Sequence, residues 1–446
     1  MKVLCAGAGG SGMGAIVRWH LELGDTVFAH DDGVADAELL KRYPGAHAWM
    51  RGADVDRGVF SDAVPSGHPI RREFDDRKTP AVGFSEELGA LCAGRYVIAV
   101  AGTHGKSTTT ALLSWMFAAA GRDPLCVIGA DVSAWRSNFR YGGGLVIVEA
   151  DEYRKHFLHL DPAVVLVTSL EMDHFDTYPS EQDLLSAFID FCSKPSVKKV
   201  FIARGGQMVE KIAQELSARH VSAARFGGRD DAIRADTVAA RTPACPHVSN
   251  LLGAAAVAGA EGLSENEIER GVESFPGILR RMEKLGEIGS GVPVYSDYAH
   301  HPTAVRETLR VCRDLWPDRK LGVIFEPHER LRTSRLKREY EESFAHADAV
   351  ALLPVFEPTG RERNDIPQEQ YQLEVPGADR LADYPAAIAW AEAFAERNPR
   401  GTVVIMGAGP IDGAFRKTVY LETVGAANAH RTRTASETAT SGDRLS

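Results

Sequence analysis

The stretch Val97-Ile-Ala-Val-Ala-Gly-Thr-His-Gly-Lys-Ser-Thr-Thr-Thr110 constrains this chain more than any other. Five apolar residues empty into a glycine-punctuated turn, and a helix-forming run continues through Trp115 to a stop at Gly121. A buried strand that feeds a helix directly opens a βαβ unit, which requires a parallel sheet covered by helices. The turn also carries chemistry. Gly102 and Gly105 let backbone N–H groups curl around phosphate oxygens, and the helix start adds its positive end. Lys106 supplies a mobile cation, Ser107 a hydroxyl for Mg²⁺, and Thr103, His104 and Thr108 complete the loop. The general pattern wants a glycine where Val100 stands, so this is a shortened form of the loop. A glycine turn that binds nothing is the plainer alternative.

The same strand–turn–helix rhythm recurs along the chain. Lys2–Ala6 reads as a strand before a helix at Gly12–Leu23. The runs Leu145–Glu149 and Val164–Ser169 read as buried parallel strands, and later strands are expected at Leu321–Glu326, Val350–Leu353 and Thr402–Met406. Ser180 with Asp183, and Ser264 with Glu267, are helix N-cap signatures. Glycine-rich strand exits at Gly7–Gly14, Gly102–Gly105 and Gly407–Gly409 divide the 446 residues, a length that suits two to four domains. Boundaries are expected near Arg95 and Met282. The segment from about Ala426, poor in apolar periodicity, is expected to be disordered.

Charge and cysteines narrow the classes of function. Lys and Arg number 51 against 61 Asp and Glu, a net charge of −10, which gives no nucleic-acid footprint. No apolar run reaches the roughly 18 residues that span a bilayer, and the glycine-rich N-terminus is no signal peptide, so a cytoplasmic protein without membrane insertion is expected. Cys5, Cys92, Cys126, Cys192, Cys245 and Cys312 are scattered without a CxxC pair, as buried, inert thiols would be.

Further acids and imidazoles fall at strand ends. Glu149-Ala-Asp-Glu-Tyr153 closes one expected strand, and Asp173-His174 follows the next. Both lie at carboxyl ends of parallel strands, where open α/β sheets bind ligands. Glu149 and His174 are therefore candidate metal ligands beside Ser107; a strand-end charge and an ordinary loop histidine are the alternatives.

Together GTHGKSTTT, EADE and DHFDTY resemble the Mur ligases of peptidoglycan precursor synthesis, and further motifs agree. Gly7-Ala-Gly-Gly-Ser-Gly-Met13, Phe275-Pro-Gly-Ile-Leu-Arg-Arg281, Asp297-Tyr-Ala-His-His-Pro-Thr303 and Pro327-His-Glu-Arg-Leu-Arg-Thr333 are similar to the branch of that family that adds L-alanine to UDP-N-acetylmuramate. The resemblance spans about residues 1–415. It implies an α/β chain of three domains: a Rossmann-like UDP-sugar domain at 1–95, a central P-loop ATPase-type domain at 96–282, and a Rossmann-like amino-acid domain at 283–424, with a tail at 425–446. It implies ATP and Mg²⁺ as cofactors and UDP-N-acetylmuramate and L-alanine as partners, in a monomer or homodimer. By the same resemblance Lys106 and Ser107 serve the phosphates and Mg²⁺, and Glu149 and His174 serve the metal. Asn250 lies near adenine, Arg281 or Arg280 reaches ATP, and Asp297 contacts the nucleotide. Gly9, Gly10, Ser11 and Gly12 hold the UDP pyrophosphate, with Asp31 on a ribose or base and Ser61 and His68 in a substrate loop. A nicotinamide site or a purely structural turn would use similar glycines. His300, His301 and Arg332 are the candidates on the amine side, Arg332 as a clamp for a carboxylate and His301 to orient or deprotonate the amine.

The chemistry so implied activates a carboxylate as an acyl phosphate, which an amine then attacks. That demands positive charge around the transferred phosphoryl group and exclusion of water. Several residues depart from the family pattern. Glu329 stands where an arginine or threonine is common, Met282 replaces an aromatic, and Pro410 replaces an acid. Phe188 or a neighbour fills the place of a metal-supporting lysine, and Phe226–Pro246 is short, as though a small sheet were missing. The alternatives are a ligase that recycles tripeptide onto the same sugar, a Mur-like amide ligase of another pathway, or a nucleotide-binding regulator without turnover.

Overall fold

A computed structural model describes residues 1–227, 247–289, 291–358 and 365–418. The segment expected to be disordered and nearly all of the short Phe226–Pro246 stretch, Cys245 included, lie outside the described residues. Two compact units form, the first spanning Met1–Leu279 and the second beginning at Arg280.

The first unit holds two sheets. Strands β1 Lys2–Ala6, β2 Thr26–His30, β3 His47–Ala48, β4 Arg57–Phe60 and β5 Ala81–Gly83 lie in the order β3-β2-β1-β4-β5, all parallel. The second sheet contains β6 Val97–Ala101, β7 Leu125–Val132, β8 Ser137–Arg140, β9 Val146–Glu149, β10 Val164–Val167, β11 Lys199–Ala203 and β12 Ala223–Phe226, in the order β12-β11-β10-β6-β9-β7-β8. Every residue of β6 is fully buried, as a central strand covered on both faces requires. Its neighbours are β10 and β9, both parallel to it, so three strands release their carboxyl ends side by side. The sheet ends in an antiparallel β7–β8 pair that the sequence reading did not anticipate. Helix starts follow the expected caps: Ser180 Oγ accepts from Asp183 N, and Ser264 Oγ accepts from Glu267 N.

The second unit carries β13 Glu283–Ile288, β14 Val292–Asp297, β15 Leu321–Phe325, β16 Ala349–Leu352, β17 Asp379–Arg380 and β18 Thr402–Met406, in the order β13-β14-β18-β15-β16-β17. Among the described residues of this sheet, only β13 runs antiparallel to its neighbour. The α/β class and the parallel core agree with the expectation, and the antiparallel edges of the second and third sheets are additions to it. The described cysteines are buried and unbridged, and burial pushes the Cys92, Cys126 and Cys192 thiols up to about 12. Among the described residues no helix is long and apolar enough to cross a membrane.

The first sheet is tied to its helices by a buried charge network. His20, fully buried on the helix Ser11–Glu22, faces Asp25 through Nδ1 at 2.8 Å and Glu87 through Nε2 at 3.2 Å. Arg57 Nη1 donates to Glu87 Oε2 at 2.8 Å. Burial opposes charge on each group, yet the partners outweigh it: His20 is raised above 6.5, and Glu87 and Asp25 are lowered. The His20 contribution is therefore complete below its unfolded value and is lost as pH rises through its raised one. The Glu87 and Asp25 contributions are complete above their unfolded values and are lost as pH falls through their lowered ones. Glu87→Leu is expected to cost about 2 kcal/mol, because it removes one of the two carboxylates facing His20 and the carboxylate facing Arg57. It should also flatten both limbs of the pH–stability curve, as read by urea unfolding at pH 4 to 9. An unchanged curve would show that the network contributes nothing.

Candidate functional site

The turn after β6 is shaped by two glycines with left-handed backbone, Gly102 at φ +130° and Gly105 at φ +80°. A Cβ on Gly102 would strike Thr168 Oγ1, and one on Gly105 would strike the amide of Asn250. The loop is laced to the end of β10. Thr103 N donates to Ser169 O at 3.1 Å, His104 N to Ser169 Oγ at 2.8 Å, and Thr168 Oγ1 to His104 O at 2.6 Å. Thr103 Oγ1 exchanges hydrogen bonds with the Glu171 backbone, both at 3.0 Å. The helix Lys106–Ala119 then begins with no side chain capping it. A helix start left open, behind a rigid glycine turn, presents N–H groups to an anion.

The charges around that opening form one connected cluster. Lys106 Nζ donates to Gly102 O at 2.7 Å and approaches Glu152 to 2.7 Å. Glu152 is almost fully buried, and His174 Nε2 stands 3.6 Å from it. Burial alone would lower Lys106, but Glu152, Asp151 and Glu149 raise it. Burial alone would raise Glu152, but Lys106 and His174 hold it down at about 2. Ser107 Oγ donates to Glu149 Oε1 at 3.1 Å, and Gly129 N donates to Oε2 at 2.6 Å. Burial pushes the Glu149 carboxyl up, so it is the weaker acid of the two glutamates. Asp151, Glu152 and His174 can offer one ligand atom each, all within 4.8 Å of one another. Lys106, Ser107, Glu149 and His174 thus share one region, with Glu152 joining lysine to histidine. Glu152 and Asp151 were absent from the expected ligands, although both sit in the same Glu-Ala-Asp-Glu run.

Asn250 is buried near the start of the helix Val248–Ala260 and packs against Gly105. Phe188 lies in the core, its ring centroid 5.0 Å from that of Phe157. At the N-terminal turn, Gly10 precedes the helix Ser11–Glu22 with no side-chain cap. A Cβ on Gly9 would strike the Asp31 carboxylate, and one on Gly12 would press on the Phe84 ring. Asp31 is committed to that turn: its oxygens accept from Gly9 N at 2.8 Å and Gly33 N at 2.9 Å. Ser61 crowds Gly7, while His68 caps the helix Pro69–Arg77 and faces Asp32 at 3.0 Å.

In the second unit, Arg280 Nη2 donates to Gly407 O at 2.7 Å and Gly409 O at 2.9 Å. Arg281 has its guanidinium 5.2 Å from the Tyr298 ring centroid. Asp297 accepts from Met282 N at 2.9 Å and Ala299 N at 2.8 Å. His301 caps the helix Pro302–Leu315, and His300 Nδ1 lies 2.9 Å from Tyr298 O. Arg332 is nearly fully buried, with Glu329 Oε1 at 3.1 Å. Glu326, which the sequence did not single out, is buried beside the Gly407–Gly409 turn. Burial raises its carboxyl, and Tyr384 donates to it at 2.6 Å.

Comparison with known proteins decides the family. Residues 100–255 match the Mur ligase middle domain, and residues 280–409 match the Mur ligase glutamate ligase domain. The UDP-N-acetylmuramate–L-alanine ligase of Salinibacter ruber is 32% identical over 382 residues, 80% of either chain. This chain belongs to the Mur ligase family. In fold it is similar to the UDP-N-acetylmuramate–alanine ligase of Thermotoga maritima, 19% identical with a TM-score of 0.74, covering 96% of this chain and 100% of that one. It is also similar to a murein peptide ligase from Psychrobacter arcticus, 22% identical with a TM-score of 0.66, covering 94% and 98%.

Within this Mur ligase, the fit between Gly105 and Asn250 is testable. Gly105→Ala should cost the first unit about 1–3 kcal/mol, from a left-handed alanine plus a collision. Adding Asn250→Ala removes the collision but not the backbone strain, so part of the loss should return. Urea unfolding of the single and double variants measures both, and a strictly additive double variant would disprove the contact.

Proposed function

We propose that this chain joins L-alanine to the carboxylate of UDP-N-acetylmuramate with cleavage of ATP to ADP and phosphate, the γ-phosphoryl group going to the carboxylate and leaving as phosphate when the amine attacks, as its relatives' names suggest. The observation that carries the reading is the cluster of Lys106, Ser107, Glu149, Glu152 and His174 around an uncapped helix start. We assign the UDP-sugar domain to residues 1–95, the ATP domain to 96–282 and the amino-acid domain to 283–424, acting in the cytoplasm.

The loop Gly102–Thr108 receives the triphosphate through backbone N–H groups, and Lys106 balances charge on the transferred group. Mg²⁺ supplies charge neutralisation and orientation when bound. The donors suit such a hard cation: Glu149, Asp151 and Glu152 offer carboxylate oxygens, Ser107 a hydroxyl, and His174 a nitrogen beside them. Glu149 also fixes the Ser107 hydroxyl, so the group that meets the metal is oriented in advance. Asn250 supports the loop from behind while serving the adenine side. Arg281 is the better of the paired arginines for the nucleotide, because Arg280 is spent on two carbonyls. Asp297, held by two backbone N–H groups, steadies the turn after β14 and keeps oxygen lone pairs for the nucleotide. At the N-terminal turn, Gly9, Gly10, Ser11 and Gly12 take the pyrophosphate. Asp31 shapes that turn, and Ser61 and His68 border the sugar. Arg332 takes the carboxylate of the incoming amino acid, with His301 near the amine.

Purified protein with ATP, Mg²⁺ and UDP-N-acetylmuramate is expected to release phosphate when L-alanine is added. Lys106→Ala should lower kcat by about 10²-fold or more, and Arg281→Ala should lower turnover with ATP still bound. Release only with the tripeptide would move the chain to the recycling ligases. Release with no acceptor at all would end the ligase reading.

A further inference from the structure

Past Glu152 the chain closes into a tight turn, the short 3-10 helix Tyr153–His159. Two successive residues there, Arg154 at φ +49° and Lys155 at φ +59°, are left-handed without being glycine. Residues with a Cβ visit that region singly, so two in a row need surroundings that enforce them. Part of the enforcement is local. Lys155 N donates to Glu152 O and Phe157 N to Asp151 O, both at 2.9 Å, and Arg154 N donates to Thr177 Oγ1 at 3.3 Å. The turn hangs from the carbonyls of Asp151 and Glu152. Whatever fixes it also fixes the backbone from which the Glu152 carboxylate reaches Lys106.

The rest of the enforcement comes from the first sheet. His156 Nε2 stands 2.8 Å from Asp62 Oδ2, and Arg154 Nη1 stands 3.5 Å from Asp62 Oδ1. The His156 ring, with Arg154 behind it, holds the Asp62 carboxyl below the usual carboxylate range. Asp62 lies in the loop after β4, and that loop is braced: Ser61 N donates to Ala6 O at 3.0 Å, and Arg71 Nε donates to Val64 O at 3.0 Å. The carboxylate is therefore a fixed point, and the turn conforms to it. Rings extend the contact. His156 packs on Phe84, 6.4 Å between centroids, and on Tyr153 at 5.9 Å, and Tyr153 meets His174 at 5.1 Å. Placing His156 thus bears on both members of the Glu152–His174 pair, one through backbone and one through rings.

We propose that Asp62 is a positioning residue for phosphoryl transfer: from the sugar-side loop it anchors His156 and Arg154, and through them the turn that sets Glu152 and His174 against Lys106. Asp62 itself touches no phosphate. Tyr178 Oη also donates to Glu152 O, at 2.6 Å, so losing the anchor loosens Glu152 without releasing it, and a partial loss of rate follows. The effect on rate rests on the ligase reading; the anchoring of the turn does not.

The two are tested separately. Amide hydrogen exchange of the purified protein without substrates is expected to be about tenfold faster across residues 153–157 in Asp62→Ala than in the wild type. Exchange in β1 and β6 should stay unchanged, which reports an intact fold. In turnover with L-alanine, Asp62→Ala should lower kcat about tenfold and leave KM for UDP-N-acetylmuramate as in the wild type, the reverse of what loss of a sugar contact does. Asp62→Glu should restore part of both the protection and the rate. His156→Gln should lower kcat to a similar extent, and combining it with Asp62→Ala should lower it no further, because the two residues form one contact. Unchanged exchange at 153–157 would overturn the proposal. So would a raised KM at unchanged kcat, or losses that multiply in the double variant. A wild-type protein without turnover would count against the ligase reading, and the exchange result would still decide whether Asp62 holds the turn.

Discussion

The buried pair of Lys106 and Glu152 is the constraint around which the rest of the centre is arranged. An ammonium in that position loses water on nearly every side, and a lone buried cation would shed its proton or unfold its surroundings. Glu152 prevents both, and two carbonyls of the glycine turn take the remaining donors. The turn can offer those carbonyls because Gly102 and Gly105 adopt positive-φ backbone angles that other residues reach only at a cost. The helix behind it is left open at its start for the same reason, since the space a capping side chain would fill is the space an anion needs. Charge, backbone strain and helix polarity therefore point at one small volume.

The environment then divides two glutamates of a single run. Glu152 lies against the Lys106 ammonium and the His174 ring and stays ionised well below neutrality, whereas Glu149 receives one hydroxyl and one N–H, and burial weakens it as an acid. The strongly ionised one is the natural electrostatic anchor. The other is a hydrogen-bonding element that stiffens the serine. Only two residues separate them, yet they face different partners, because Glu149 ends β9 and Glu152 lies past it, where the chain turns.

That separation explains which parts of the centre were legible beforehand. The loop could be read because only glycine fits its angles and only a helix follows it. The parallel core could be read because its strands are apolar throughout. Glu152 could not be chosen among three neighbouring acids, since alternation along a strand says nothing once the strand has ended. Asp31 and Asp297 posed the converse difficulty. An acid at a strand end suits a ligand, but it equally suits the unpaired N–H groups of its own turn, and both are engaged there. The antiparallel edges β7–β8 and β13–β14 depend on pairing partners that no local pattern specifies.

Backbone strain follows the same division between what is fixed by geometry and what is left to side chains. His174, Arg280, Met282 and Glu329 all adopt positive φ without being glycine. Each is held by bonds from its own surroundings rather than by intrinsic preference, and each is, or lies beside, a residue assigned to the metal, the nucleotide or the substrate. Such positions are expensive, so a chain keeps them where a side chain must point in a direction that relaxed backbone would not give. At Arg280 the strained residue braces a glycine turn, which leaves its neighbour Arg281 as the cation not committed to that turn. At Glu329 the strained residue sets a carboxylate against the Arg332 guanidinium, a direction that a relaxed backbone at this turn would not give it.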